Sequence, residues 1–304
     1  MIDLSGIWVP ICTPFTENEV DVGKLEQNLK TLSQTGLRGY LALGSNGEGY
    51  VLDEKERELV VNTILRGKRK DQLVSIVCRH DSPKITLSLI KQAADLGADI
   101  VTTLPPSYSA KRMTDDVLIK YFETIANNSS LPLTLYNAPQ FAGGVTISVK
   151  VVAHLSQNPN IIGIKDSAPT GPGVFLAYVK EGFQVLAGSV EFLLPSLSMG
   201  GVGGIVSSAN YLPEPSCQVY ELFKRGDLEE AKRLQHALVR LNRVVSNMYG
   251  VAGVKAAMDM VGLSGGDPRP PLQPLSSDDR KSIYLALEKF GSEYKLSLIR
   301  LGFR

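Results

Sequence analysis

One local pattern recurs along the chain. An amphipathic stretch is followed by a Gly or Asn-Pro break and then by a short run that is apolar throughout. "LKTLSQTGLRGYLALG", "IKQAADLGADIVTTLPP", "VVAHLSQNPNIIGIKD", "FLAYVKEGFQVLAGS" and "LLPSLSMGGVGGIVSSA" all show it. The amphipathic parts keep helical spacing, as at Leu89, Ile90, Ala93, Ala94 and Leu96, and glycine after the last turn is a helix stop. Runs apolar on both faces are what strands covered by helices require. Eight such runs stand out, around residues 7–12, 38–43, 73–78, 99–104, 132–136, 161–165, 184–188 and 203–207. Eight strands alternating with helices predict an α/β fold with a parallel sheet, closed into a (βα)8 TIM barrel. The alternative, a doubly wound open sheet, lacks a GxGxxG fingerprint after the first strand.

From about residue 210 the strand signals stop. "PSCQVYELFKRGDLEEAKRLQHALVRLNRVVSNMYG" predicts two helices broken at Gly226, with Asp227 capping the second. Further helices are expected near 253–263 and 276–290, on either side of the Pro-rich "GGDPRPPLQPLS". The expected organisation is therefore a barrel catalytic domain over residues 1–225 and a C-terminal helical extension over 226–304.

Composition narrows the function. A net charge of +1 gives no reason to expect nucleic acid or an anionic membrane as partner, and no apolar run approaches a membrane span. Three scattered cysteines, Cys12, Cys78 and Cys217, argue against a disulfide framework and for a reducing compartment. Each reads as a small buried apolar residue rather than a nucleophile. No CxxC or HxxxH spacing suggests zinc, and His80, His154 and His236 are too scattered for a metal site. The start, "MIDLSGIWVPICTPF", has no secretory signature. The expected location is the cytoplasm, or the mitochondrial matrix if a transit peptide has been removed.

In a (βα)8 barrel the chemistry sits at the C-terminal ends of the strands. Here those positions are Thr13, "GSNGE" (44–48), "CRHD" (78–81), "PPSY" (105–108), "YNAP" (136–139), "KDS" (165–167), "AGS" (187–189) and "SSA" (207–209). They hold one lysine, two tyrosines, small hydroxyls and glycine-rich backbone, without paired carboxylates at glycosidase-like positions or a histidine cluster suited to a metal. Lys165 ends an apolar strand, and a buried ammonium without a partner is costly. An amine kept out of water at a barrel mouth is suited to attack a ketone and form a Schiff base. The protonated imine is an electron sink, and Tyr136, ending the neighbouring strand, is placed to relay a proton. The alternative for Lys165 is a structural ion pair with a strand-end carboxylate. In "GSNGE", Ser45, Asn46 and Gly47 can approach and donate to a substrate carboxylate; the alternative is an ordinary turn capped by Asp53, with Glu48 supporting the loop. Ser167, Gly188 and Val206 are expected to line the pocket from the remaining strand ends. Arg79 and His80 end strand three, within reach of the barrel mouth; the alternative for His80 is an ordinary loop residue.

In this order, "GSNGE", "YNAP" and "IIGIKDS" resemble the dihydrodipicolinate synthase / N-acetylneuraminate lyase family of pyruvate-dependent class I aldolases. The resemblance extends through "FQVLAGS", "GGVGGIVSSAN" and "GVAGVKAAMDMVGLSGGDPRPPLQPLS" and is closest to its 4-hydroxy-2-oxoglutarate aldolase and fungal sugar-acid aldolase branches. It implies that Lys165 forms an imine with pyruvate or another 2-oxo acid, with no further cofactor and no metal. It also implies that Tyr136 relays protons, with Ser45 linked to it, and that Ser45 and Asn46 hold the carboxylate. Tyr108 would reach the neighbouring subunit's site, in a homo-oligomer that is a dimer or tetramer. One departure matters. Synthases of the family carry an arginine after YNxP that grips the second substrate, where this chain has Phe141, which cannot donate. Arg79 or His80 is then the candidate for the far end of the substrate.

The expected activity is reversible cleavage of a 4-hydroxy-2-oxo acid or 2-keto-3-deoxy sugar acid to pyruvate and an aldehyde. The alternatives are the synthase or a sugar-acid dehydratase on the same scaffold, a metal- or phosphate-dependent barrel enzyme, and a non-catalytic 2-oxo-acid-binding homologue.

Overall fold

The apolar runs form strands. In the computed structural model, which describes residues 2–296, β1 is Gly6–Val9, β2 Gly39–Ala42, β3 Leu73–Val77 and β4 Ile100–Thr103. They are followed by β5 Leu133–Asn137, β6 Ile161–Asp166, β7 Gln184–Ala187 and β8 Gly203–Ile205. Apart from half-buried Leu73, every strand residue is buried, as strands covered on both faces must be. The strands close into a barrel in the order β1-β8-β7-β6-β5-β4-β3-β2, with parallel pairing. Closure excludes the open sheet. β1 ends at Val9 rather than near residue 12, because Pro10 has no N–H to continue the ladder. A two-residue-per-arm hairpin, Phe15–Thr16 against Glu19–Val20, follows it.

The intervening helices are α1 Val22–Leu32, α2 Glu54–Gly67, α3 Pro83–Leu96, α4 Asp115–Ala126, α5 Val149–Leu155, α6 Gly173–Leu176 and α7 Leu193–Ser198. Their starts are set locally. Asp21 accepts from Lys24 N, Ser148 accepts from Val151 N, and Asp53 with Glu56 forms a reciprocal capping box. Gly97 ends α3 in the left-handed region.

After β8 come α8 Pro213–Arg225, α9 Leu228–Asn242, a π-helical turn Arg243–Asn247, α10 Met248–Met260 and α11 Ser277–Tyr294. Gly226 breaks the first two as expected, at φ 82. Asp227 stands at the N-cap of α9 but makes no side-chain cap; its carboxylate lies 3.5 Å from Arg225 instead. α10 begins earlier than the sequence pattern suggests and is interrupted at Gly250, whose φ is 58. By compactness the chain groups into two units: the run up to Gly6 with Leu73–Ile205, and Ile7–Gln72 with the described residues from Val206 onward. All three cysteines are buried thiols, and burial pushes the Cys12 and Cys217 thiols up to about 12, which leaves these two inert at neutral pH. Among the described residues no helix is long and apolar enough to cross a membrane.

Candidate active site

The ends of β5 and β6 bring the two principal candidates together. Tyr136 and Lys165 are partners in the strand register, at 3% and 4% exposure. The Lys165 Nζ lies over the Tyr136 ring, 4.1 Å from its centroid. The strand-end carboxylate next in sequence, Asp166, does not supply an ion pair. It accepts from the Asn137 amide at 2.7 Å and from Ala168 N at 3.2 Å. Its Oδ2 is buried without a hydrogen-bond partner, and desolvation raises the carboxyl from 3.8 to about 6, against the lowering effect of those two donors.

The end of β7 closes tightly on the same region. Gly188 N donates to Asp166 O at 2.7 Å, and a Cβ at Gly188 would fall 2.0 Å from Ser167 Oγ and 2.5 Å from Asp166 O. Only glycine permits that approach. The Ser167 hydroxyl is itself buried without a partner, a free donor and acceptor two residues past the lysine. Lys165, Tyr136, Ser167 and Gly188 therefore form one cluster at consecutive strand ends.

On the loops after β3 and β4, Arg79 donates to Ser107 Oγ. Asp81, overlooked in the sequence, accepts from Ser107 N at 3.0 Å and Tyr108 N at 2.6 Å. That clamp presents Tyr108 outward at 95% exposure, so its ring stands clear of the rest of the described chain. His80 is exposed and takes the ordinary loop role: its Nδ1 accepts from Ser82 N at 2.9 Å at the start of α3, and its carbonyl accepts from Thr86 and Tyr121 hydroxyls. His80 is thus taken up by the turn into α3, while Arg79 is held on Ser107. Phe141 ends the short 3-10 turn Pro139–Phe141 and is 45% exposed, with no donor to offer.

The second unit holds the "GSNGE" loop. Ser45 and Asn46 are half-buried and Gly47 is buried. Thr13 Oγ1 donates to Gly47 O at 2.8 Å, and Asn46 Nδ2 donates to Ser207 Oγ at 2.9 Å, so part of the Asn46 amide is already engaged. Val206, buried, continues from β8 with its N–H on Trp8 O. The Asp53 capping box exists, yet the loop is more than an ordinary turn. Leu43 and Glu48 have φ of 58 and 52, and a Cβ at Gly49 would lie 2.2 Å from Leu43 O.

A second feature overlooked in the sequence holds this conformation. Glu48 is buried and 2.5 Å from the Nζ of Lys255 on α10, and both side chains are at 0% exposure. Glu48 also accepts from Arg269 N at 2.8 Å. The Arg269 guanidinium pairs with Glu56, and Phe15 stacks under both Lys255 and Arg269. Glu48 supports the loop as expected, through the Pro-rich segment and α10.

With this geometry in hand, the chain can be set beside known proteins. It matches the Dihydrodipicolinate synthetase family over residues 3–290. The chain belongs to that family. It is 32% identical over 285 residues to a probable mitochondrial 4-hydroxy-2-oxoglutarate aldolase of Emericella nidulans, covering 91% of this chain and 92% of the relative. It is also 29% identical over 293 residues to a 4-hydroxy-tetrahydrodipicolinate synthase of Methanopyrus kandleri, covering 95% and 97%. Among solved structures, a prophage protein of E. coli K12 from the dihydrodipicolinic acid synthase family, in complex with pyruvate, superposes with a TM-score of 0.87 at 27% identity, covering 94% and 98%. The chain is a carbon–carbon lyase on a TIM barrel.

Proposed function

We propose that this lyase is a Schiff-base aldolase that cleaves a 4-hydroxy-2-oxo acid, or a 2-keto-3-deoxy sugar acid, to pyruvate and an aldehyde. The observation that carries the reading is the buried register pair of Lys165 and Tyr136, with Nζ 4.1 Å from the ring centroid and the nearby carboxylate of Asp166 committed to other donors. The Lys165 amine adds to the C2 carbonyl, and loss of water gives a protonated imine. Tyr136, having given its phenol proton to the departing water, takes the C4 hydroxyl proton as the C3–C4 bond breaks, and the bonding pair moves into the imine to give an enamine and free aldehyde. Protonation at C3 and addition of water then release pyruvate and restore the amine. The chain's own amine supplies the electron sink, so no separate cofactor enters.

Ser45 and Asn46 hold the 2-oxo acid carboxylate on backbone N–H groups and the Ser45 hydroxyl. Tyr108, exposed on its clamped loop, completes the site of a second copy in a homo-oligomer. Phe141 decides between family activities, because it leaves a second substrate's carboxylate without the bidentate clamp that a synthase needs. Arg79 receives the polar end of the aldehyde portion. A panel of 4-hydroxy-2-oxo acids and 2-keto-3-deoxy sugar acids, with pyruvate release as the readout, is expected to give turnover with at least one member. No turnover with any member, together with synthase activity, would reverse the assignment.

A further inference from the structure

The residues that follow Tyr136 and Lys165 are also paired, on the opposite face of the same two strands. The register that sets Tyr136 beside Lys165 sets Asn137 beside Asp166. Successive side chains alternate across a strand, so this second pair faces away from the lumen. Both residues are buried, at 1% and 0% exposure. Asn137 has three contacts that reach in three directions. Its Nδ2 donates to Asp166 Oδ1 at 2.7 Å, its Oδ1 accepts from Ile147 N at 2.9 Å, and its carbonyl accepts from Ser167 N at 2.8 Å. One side chain and its backbone thus tie the end of β5 to the end of β6 and to the loop that carries Phe141. Asp166 returns the contact by accepting from Ala168 N through its side chain and from Gly188 N through its carbonyl, at 3.2 and 2.7 Å.

We propose that Asn137 and Asp166 are positioning residues for the imine-forming centre, a buried amide–carboxylate clasp that fixes the approach of the Tyr136 phenol to the Lys165 amine. The inference rests on the aldolase reading and deepens it. Reacting groups lose rate steeply when displaced by about 1 Å, and a clasp one residue from each is the shortest lever available for holding them. A packing role alone does not account for burying a carboxylate here. A hydrogen-bonded pair of neutral groups would satisfy the same backbone, and Oδ2 gains no partner in return for its lost water. What ionisation adds is strength: a charge-assisted bond to the Asn137 amide is about twice as strong as a neutral one. The donors on the carboxylate are the Asn137 amide from β5 and the Ala168 N–H; no charged side chain figures among the groups that set its ionisation, and Lys165 points to the other face. Loss of its charge, centred near pH 6, therefore weakens the clasp and slows catalysis as pH falls.

The test measures pyruvate trapping by borohydride on Lys165, and steady-state cleavage of the substrate found in the panel above, in the full-length protein. Asn137→Ala is expected to lower kcat about tenfold or more, with a smaller change in KM, since the carboxylate-holding loop is untouched. Asp166→Leu, which removes the acceptor, should match it. The double variant should be no worse than the poorer single one, because the two act as a unit. Asp166→Asn keeps an acceptor for the Asn137 amide, so it should lose less rate at pH 8 and lose the acid limb near pH 6 that the wild type shows. A folded Asn137→Ala with wild-type kcat, or single effects that multiply in the double variant, overturns the proposal. If Asn137→Ala or Asp166→Leu fails to fold, the pH profile of Asp166→Asn decides, and an unchanged acid limb overturns it. An absent borohydride adduct in the wild type would instead refute the aldolase reading itself.

Discussion

Two lysines are buried among the described residues, and the protein treats them in opposite ways. Lys255 is at 0% exposure and meets its costs in full: Glu48 lies 2.5 Å away, the Asp267 carbonyl accepts at 3.0 Å, and the Phe15 ring faces it at 4.2 Å. Lys165, at 4% exposure, has the Tyr136 ring beside it, while the carboxylate next in sequence is spent on Asn137 and Ala168. The Lys255 amine is spent on a counter-charge and a carbonyl, whereas the carboxylate beside Lys165 is engaged elsewhere, the difference that the proposed role of Lys165 requires. Burial alone therefore does not mark a candidate catalytic lysine. What separates the two is whether the surroundings have supplied a counter-charge.

The largest effect tests that contrast at its centre. Lys165→Met should abolish pyruvate release, by at least about 10³-fold, while the chain stays folded with stability near or above the wild type, since no ion pair is lost. Lys255→Met should do the reverse and destabilise by about 3–5 kcal/mol in denaturant unfolding, because Glu48 is left buried and uncompensated. Pairing it with Glu48→Leu should recover much of that loss. If Lys165→Met proved the more destabilising of the two, the contrast between the lysines would collapse.

A smaller effect lies in Asp166 and has a definite sign. Its folded-state value of about 6 lies above the ordinary 3.8, so the native state holds the proton more tightly than the unfolded chain does. The stability this contributes is fully present below about pH 4 and is lost as pH rises through about 6. Asp166→Asn should accordingly be more stable than the wild type at pH 8, by about 1–3 kcal/mol, with the advantage gone at pH 4. Thermal or urea unfolding of both proteins across that range checks it. The smallest effect is expected at Arg79. Removing its charge in Arg79→Ala should raise KM for the cleaved acid about tenfold, equivalent to one charge-assisted hydrogen bond, with little change in trapping of pyruvate alone. Unchanged affinity and turnover would remove Arg79 from the site.

The barrel was legible because its signal is periodic and local. Fully apolar runs separated by helical spacing and glycine stops leave few solutions, and β6 with Lys165 at its end follows from "IIGIKD" directly. Position was legible where it depends on the strand pattern: Tyr136 and Lys165 stand as register partners near the ends of neighbouring strands. A role was not legible where it depends on partners far apart in sequence. Nothing around Glu48 announces Lys255 or Arg269, more than two hundred residues away, yet these fix the loop's strained backbone. Asp81 reads as one more loop acid until its two N–H donors from Ser107 and Tyr108 appear. Asp227 failed as a cap for a different, local reason: Arg225, two residues before it, competes for its carboxylate. His80 was ambiguous in the sequence because its ring role depends on the turn before α3, which only the backbone reveals.

The measurement closest to the centre is incubation of the protein with pyruvate and borohydride, followed by peptide mass mapping, in parallel with Lys165→Met. The account predicts one stable adduct, on Lys165, that is absent from the variant, with Lys255 unmodified. No adduct on Lys165, or an adduct on another lysine that persists in the variant, would contradict it.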